Sequence, residues 1–570
     1  MKTVDKVSLM LPWPALLFIL LTGLACYVHV LPGEFISDDF RFIAHNPVIT
    51  QLRYHDLWSS FNARFLVGLT FMLNYHLHGL TPHGYHLFSL FFHMVNAALI
   101  FVFCRETVRL VNLRRPDAPL SPCKIAWLAM GIFLCHPVQT QAVSFIAQRG
   151  TVMVTAWYLL AHILYMKGRS EKCPFWLATV FVPLLLGFIT KEIIITAGAT
   201  LVLCEWLIVR PVLAEKRGAM PWLSAYMLAA LIFPVIFFQS KSSATINFQH
   251  LMGINMFEWK VLLTEVNVLV TYLRLFVAPV GLRADYYYPI THSILEPRFL
   301  MAVGVLGVLI WTAVANRRKR PLIAYGLGWF FITKSVEFVG VSFGLRNLIY
   351  ENWLYLSMAG LCLSAGYVWS MLIRREMMFR VTAAVLVIVL GLAAHTRNYV
   401  WINEIDHYTD LVAKEPRFPS AYLGLSDAYL RQGMRREGVQ ALEEAIRLKP
   451  DFAHALNNLA RFRWEAGLLD EAVALNERAL KADPALVPAY YNQAYMAFEL
   501  GENERSAAAY RRYLEFHPDD LTAHYHIAQV FFALGDKESA RRHLLATREL
   551  AIRQGQPEWS AAAERDLEGM

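Results

Sequence analysis

Leu11–Val30, LPWPALLFILLTGLACYVHV, runs without a charged side chain, and Phe35-Ile36-Ser37-Asp38-Asp39-Phe40-Arg41 follows it after four residues. About 20 apolar residues suffice to cross a bilayer as a helix. Two adjacent carboxylates at a membrane face are costly unless they are solvated, paired or functional. The pair reads as an acid/base centre at the mouth of a membrane-embedded protein. A helix cap is the plainer alternative, with Ser37 or Asp38 capping a helix that begins near Asp39. Capping needs only one carboxylate, so catalysis is the stronger reading of two.

The composition agrees with a membrane chain. Of 570 residues, 56% are hydrophobic, and the mean hydropathy is +0.38. That is too apolar for one soluble domain. The formal charge of +8 is unevenly spread. Residues 401–570 hold 20 Lys and Arg against 27 Asp and Glu, which leaves 33 against 18 for residues 1–400. The basic excess belongs to the apolar part, where cytoplasmic loops explain it better than nucleic acid does. All seven Cys (26, 104, 123, 135, 173, 204 and 362) lie there too, at no metal-ligand spacing. They read as small apolar residues of helices. Lys2 and Lys6 precede the first apolar run and no small-residue cleavage site follows it, so this run is expected to stay as an anchor.

Eleven spans are expected, near 11–30, 86–108, 125–137, 150–166, 174–190, 192–209, 221–239, 299–315, 321–338, 353–373 and 380–396. Basic clusters at Lys2/Lys6, 105–124, 167–172, 210–217, 317–320 and Arg374/Arg375 mark the cytoplasmic side. Between the clusters at 210–217 and 317–320 the chain must cross an even number of times. Three apolar stretches lie between them. The stretch 259–280 contains Glu265, Asn267 and Arg274, so it is expected to be a surface or re-entrant helix. The amino terminus is then inside. The loop 31–85, residues 138–149, the Lys191 turn, 240–298, 339–352 and everything past 396 are outside.

The carboxy-terminal part repeats. Pro416, Pro450, Pro484 and Pro518 are 34 residues apart, as are Gly433, Gly467, Gly501 and Gly535. Small residues recur with them at 426, 460, 494 and 528, and at 438, 472, 506 and 540. This period, with small side chains where helices cross, is the tetratricopeptide pattern. Three repeats are expected over 419–520, then a fourth, with 552–570 as a capping helix and Ile402–Lys414 as a lead-in helix. The reading is all-α: a polytopic membrane domain over 1–398, and an extracytoplasmic tetratricopeptide solenoid over 399–570. Such stacks bind polypeptides on their concave face.

Other polar residues fall on the same outer side as Asp38. Arg64 precedes Phe65–Asn74, which reads as an amphipathic helix on the membrane. Pro137 ends a span, placing His136 and Arg149 at the outer surface. Thr190-Lys191-Glu192 interrupts two short spans. Arg64, Arg149 and Lys191 are cations placed where a lipid-linked phosphate would lie, with snorkelling to the interface as the plain alternative. His93 and Asn96 share a helix face; they line a cavity with His136 and Glu192, or tie helices together by hydrogen bonds.

These residues together resemble the GT-C glycosyltransferases, and among them the transmembrane-and-tetratricopeptide-repeat O-mannosyltransferases and their bacterial relatives. The resemblance rests on the Asp38-Asp39 loop, Gly84-Tyr85-His86, His93-x-x-Asn96, His136-Pro137 through Arg149 and Lys191-Glu192. It continues through Tyr272-Leu273 to Pro279, Asp285-Tyr286, and Glu351 with Leu354-Tyr355-Leu356. Ser89 where Asn is expected, Gln141 in place of an acid and Asn352 in place of Arg depart from it. The family implies a polyprenyl-phosphate sugar donor and an acceptor on the outer face. By its match to the family's first-loop Asp, Asp38 is the expected base. Asp39 orients the acceptor or, with Asp38, holds a divalent metal. The expected setting is a bacterial inner membrane with periplasmic repeats, or an endoplasmic reticulum membrane with lumenal ones. The competing readings are a membrane-anchored scaffold and a transferase acting on a glycan or lipid.

Overall fold

The computed structural model describes residues 11–114, 119–213, 220–239, 259–342 and 348–570. Lys2, Lys6, Arg115, Lys216 and Arg217 of the basic clusters, and 240–258 and 343–347 of the loops expected outside, lie outside the described residues. Among those described, the regular structure is helical and no strand occurs. Contacts divide the chain into two units, residues 1–414 and 415–570. The helix Glu404–Lys414, expected to lead into the repeats, therefore groups with the first unit.

In the first unit, five helices among the described residues are long and apolar enough to cross a membrane. They are Trp13–Val30, His83–Arg114, Glu192–Leu213, Pro297–Asn316 and Glu376–Trp401. Pro122–Cys135, Pro174–Phe188 and Met358–Leu372 are shorter apolar helices. The expected spans 150–166, 221–239 and 321–338 fall on Arg149–Ser170, Met220–Gln239 and Pro321–Ser342. The 32-residue helix His83–Arg114 is the hub, packing against Pro122–Cys135 and Arg149–Ser170. Pro297–Asn316 lies at the other extreme and exposes Leu300, Val308 and Trp311. Such an apolar surface suits hydrocarbon rather than water. Trp259–Val277 turns Glu265 and Asn267 inward, where both are buried.

Small residues set one close crossing. A Cβ on Gly326 would lie 2.2 Å from the Gly360 carbonyl oxygen, so the helices Pro321–Ser342 and Met358–Leu372 meet backbone to backbone. Elsewhere a buried charge is fully paired. Arg169 donates to both Glu205 oxygens at 2.9 and 3.1 Å, and the Tyr165 hydroxyl donates to the same carboxylate at 2.8 Å.

The first loop has its own apolar core. Phe35, Ile43, Ile49, Leu57, Phe61, Phe71, Met72 and Tyr85 bury together with Ile146 and Met153. The helix Phe65–His78 contributes Val67, Phe71 and Met72 to that core, while its other side exposes Leu69, Leu73 and Leu77. It is thus apolar on both sides, against protein and outward, where an apolar and a polar side were expected. This core turns the loop into a folded cap with a defined position for Asp38 and Asp39.

The second unit is a stack of helix pairs: Pro419–Arg431 with Arg435–Leu448, Ala453–Glu465 with Leu469–Ala482, Val487–Glu499 with Asn503–Leu514, and Leu521–Ala533 with Lys537–Gln554. Pro557–Glu568 caps the stack, so the fourth pair runs a few residues further than expected. Gly433, Gly467, Gly501 and Gly535 adopt φ between +75° and +79°. Only glycine takes that conformation freely, which is why it ends the first helix of every pair. Ser426, Ala460, Ala494 and Ala528 are buried where paired helices cross.

Candidate functional site

Asp38 and Asp39 are neighbours with opposite circumstances. Asp39 is fully buried. One of its oxygens accepts the Ile36 N–H at 3.1 Å and the other the Ala147 N–H at 2.6 Å. Burial pushes its carboxyl up to about 8, against the pull of those two N–H groups; Asp38 adds to the rise and Arg149 opposes it. Asp38 is exposed, and among the described residues it makes no hydrogen bond or ion pair. Neither residue caps the helix that follows through a side-chain hydrogen bond.

The loop is held from both sides. Ser37 has φ +49°, a left-handed conformation unusual for a residue with a side chain, and it reverses the chain just before Asp38. Its N–H donates to Glu404 Oε1 at 2.8 Å, and the Glu34 N–H donates to the Ile402 carbonyl at 2.7 Å. Those partners come from beyond the last apolar helix.

A five-residue segment, Ala147–Thr151, joins the loop to the other expected residues. Ala147 binds Asp39. The Arg149 guanidinium donates to the Thr70 hydroxyl at 3.2 Å and to the Tyr85 carbonyl at 3.0 Å. It also lies over the rings of Phe88 and Phe71, 4.5 and 4.6 Å from their centroids. The Thr151 hydroxyl accepts from Lys191 Nζ at 2.7 Å. The Lys191 turn is tied in turn to the Arg64 segment, where the Leu66 N–H donates to the Ile189 carbonyl at 2.8 Å and Arg64 contacts Glu192 at 3.3 Å. Lys191 is half-buried; burial lowers its ammonium to about 8, aided by Arg64 and Lys334 and opposed by Glu192 and Glu337.

Two expected placements are corrected. Arg149 is 0% exposed and His136 1%, so neither stands at the outer surface. Arg149 is enclosed by aromatic rings because the folded cap covers it. His136 stacks on Phe276 and bonds the Phe276 carbonyl at 3.0 Å, because Trp259–Val277 covers the end of its span. His93 and Asn96 are likewise buried and do not line an open cavity. Both grip the Tyr355 hydroxyl, at 2.7 and 3.1 Å, and Asn96 also donates to the Val152 carbonyl at 2.8 Å. Theirs is the interhelical tie. Glu192 is exposed, paired with Arg64.

The structure adds residues that the sequence reading passed over. Lys334 is buried, donates to the Trp353 carbonyl at 2.9 Å and lies over the Tyr272 ring. Glu337 is 3.9 Å from it. A Lys and a Glu inside an apolar run were a legible signal. Gln141 and Asn352 also meet: the Asn352 backbone N–H donates to Gln141 Oε1 at 2.8 Å. The Asn352 side-chain amide donates instead to Gln148 Oε1 at 2.6 Å.

The donor set for a metal is poor. Both Asp39 oxygens are occupied by N–H donors, leaving Asp38 as the single free carboxylate of the pair. Among the described residues, no group of three His, Cys, Asp or Glu side chains could hold an ion.

Comparison with known proteins follows the same outline. Residues 423–486 and 491–557 match the tetratricopeptide repeat family model. The chain is 24% identical to protein O-mannosyl-transferase F38B6.6 of Caenorhabditis elegans over 77% of its own length and 63% of the relative's. It is also 24% identical to protein O-mannosyl-transferase Tmtc3 of Drosophila melanogaster, over 77% of its length and 55% of the relative's. The chain therefore spans a little over half the length of the curated relatives it matches. Among solved structures, a MamA fragment from Desulfovibrio magneticus aligns with 26% of this chain and 85% of its own, at 18% identity and a TM-score of 0.24. Over 77% of its length the chain is thus similar to protein O-mannosyl-transferases of Caenorhabditis elegans and Drosophila melanogaster, and its carboxy-terminal part carries tetratricopeptide repeats.

Proposed function

We propose that the chain transfers a monosaccharide from a polyprenyl-phosphate donor to a Ser or Thr hydroxyl of a protein acceptor on the outer face of its membrane. The observation that carries this reading is the division of labour between Asp38 and Asp39. A general base must be reachable and unoccupied, and Asp38 is both. Asp39 is consumed in fixing the backbone that presents it. The name shared by the relatives supports mannose as the sugar and a protein as the acceptor.

In this mechanism Asp38 takes the hydroxyl proton as the acceptor oxygen attacks the anomeric carbon. The bond from that carbon to the phosphate oxygen breaks, and the lipid phosphate leaves with the electron pair. Lys191 and Arg64 are the cations placed to meet that charge. Arg149 is enclosed, so it acts by holding the Ala147–Thr151 segment. The repeats, on the same outer side, take the polypeptide.

The test uses the purified full chain with polyprenyl-phosphate mannose and a Ser/Thr peptide. Asp38→Asn keeps size and removes the base, and transfer should fall by about 10²–10⁴-fold while donor binding is retained. Undiminished transfer in Asp38→Asn would falsify the assignment.

A further inference from the structure

We infer that Glu404, on the helix Glu404–Lys414 beyond the last apolar segment, is a positioning residue for the Asp38 loop. Glu404 is 6% exposed, and its carboxylate accepts the Ser37 N–H at 2.8 Å, across 367 residues of sequence. Ser37 immediately precedes Asp38 and holds the left-handed φ of +49° that turns the chain there. A residue with a side chain leaves that region readily, and its backbone then re-aims the next side chain. The acceptor on its N–H resists the change.

The junction is built to be close. A Cβ on Gly33 would lie 2.8 Å from the Val30 carbonyl oxygen and 3.1 Å from that of Ile402. The Glu34 N–H to Ile402 carbonyl bond, at 2.7 Å, clamps the same segment two residues from Glu404. The Asp38 loop is therefore held on one side by Asp39 against Ala147 and on the other by Glu404 against Ser37. Glu404 touches no reacting atom in this scheme; it fixes where Asp38 points.

The inference rests on the transferase reading for its kinetic arm and is independent of it for its structural arm. The structural arm is hydrogen exchange by mass spectrometry on peptides covering residues 33–41 of the full chain in detergent. Glu404→Ala should raise exchange at Ser37 by at least about tenfold, because its N–H loses a buried acceptor. Glu404→Gln keeps an oxygen there and should restore protection. Peptides from the helix His83–Arg114 of the same unit should be unchanged in both, which excludes general unfolding. The kinetic arm should show kcat lower by about tenfold or more in Glu404→Ala, donor KM unchanged, and Glu404→Gln within about threefold of the parent. Gly33→Ala, which forces the junction apart without altering charge, should behave like Glu404→Ala. Unchanged exchange in Glu404→Ala overturns the inference, as does faster exchange with full kcat. Faster exchange rescued by Gln, in a parent protein that transfers no sugar, supports the clamp and removes the transferase reading instead.

Discussion

Arg149 and Arg505 are kept in opposite ways. Arg149 is wholly enclosed, its guanidinium shared among a hydroxyl, a carbonyl and aromatic faces, with no carboxylate bonded to it among the described residues. Arg505, in the repeats, is 39% exposed and reaches Glu477 at 2.5 Å and Glu502 at 2.9 Å. The contrast extends across the two units. Asp39, Asn96, His93 and Glu404 of the membrane unit are buried and bonded mostly to backbone or neutral groups. The repeats carry Arg435–Glu465, Arg463–Glu443, Arg512–Glu515 and Arg553–Asp519 on their surface. A buried polar group costs its full desolvation when its partner is lost, whereas an exposed ion pair falls back on water. Polar substitutions should therefore hurt the first unit far more than the second.

Arg149→Met gives the largest expected effect of this kind. It leaves the Tyr85 carbonyl and the Thr70 hydroxyl without their donor and strips the cation from the aromatic cage. The expected loss is about 2–4 kcal/mol, read as a fall in melting temperature in detergent. A variant that keeps its melting temperature and loses only donor affinity would make Arg149 a phosphate ligand and break the contrast.

Asp39→Asn should be milder and should depend on pH. The folded state raises the Asp39 carboxyl to about 8, from an ordinary value of about 3.9. A group raised on folding contributes stability that is complete below its unfolded pKa and is lost as pH rises through the folded one. The parent should accordingly lose stability between about pH 4 and pH 8 relative to Asp39→Asn, which is neutral throughout. At low pH the variant should be weaker by about 1 kcal/mol, because its amide group can accept only one of the two N–H bonds. Parallel melting curves at pH 5, 7 and 9 would show that Asp39 is not the buried acid described.

Arg505→Ala should do least. Both of its pairs are exposed, and the expected cost is about 0.5–1 kcal/mol with sugar transfer unchanged. A larger loss would mean that the repeats, too, depend on their charges for folding.

Much of this organisation is legible in the sequence because it repeats or is local. The 34-residue period places every helix pair of the solenoid, and the φ of +75° to +79° at its glycines is the reason the period includes glycine. The Asp38-Asp39 pair stands out beside an apolar run. What no local pattern distinguishes is which of the two carboxylates is free. That depends on Ala147, 108 residues away, whose N–H reaches Asp39. His93 and Asn96 share a helix face in the sequence, but only Tyr355, more than 250 residues further on, turns that face into a helix tie. Arg149 illustrates the limit from the other side. A cation at the end of an apolar span reads as a surface charge until a cap with its own core closes over it.

The amino-acid sequence alone determined the helical class, the solenoid and the loop that carries the acid/base candidate. Helix period, span length and glycine conformation are properties of neighbouring residues. Tertiary structure alone decided that Asp39 is spent, that Asp38 is free, that Arg149 is enclosed and that Glu404 grips the loop. Burial and hydrogen-bond partnership are set by residues hundreds of positions apart, and a short-range pattern carries no record of them.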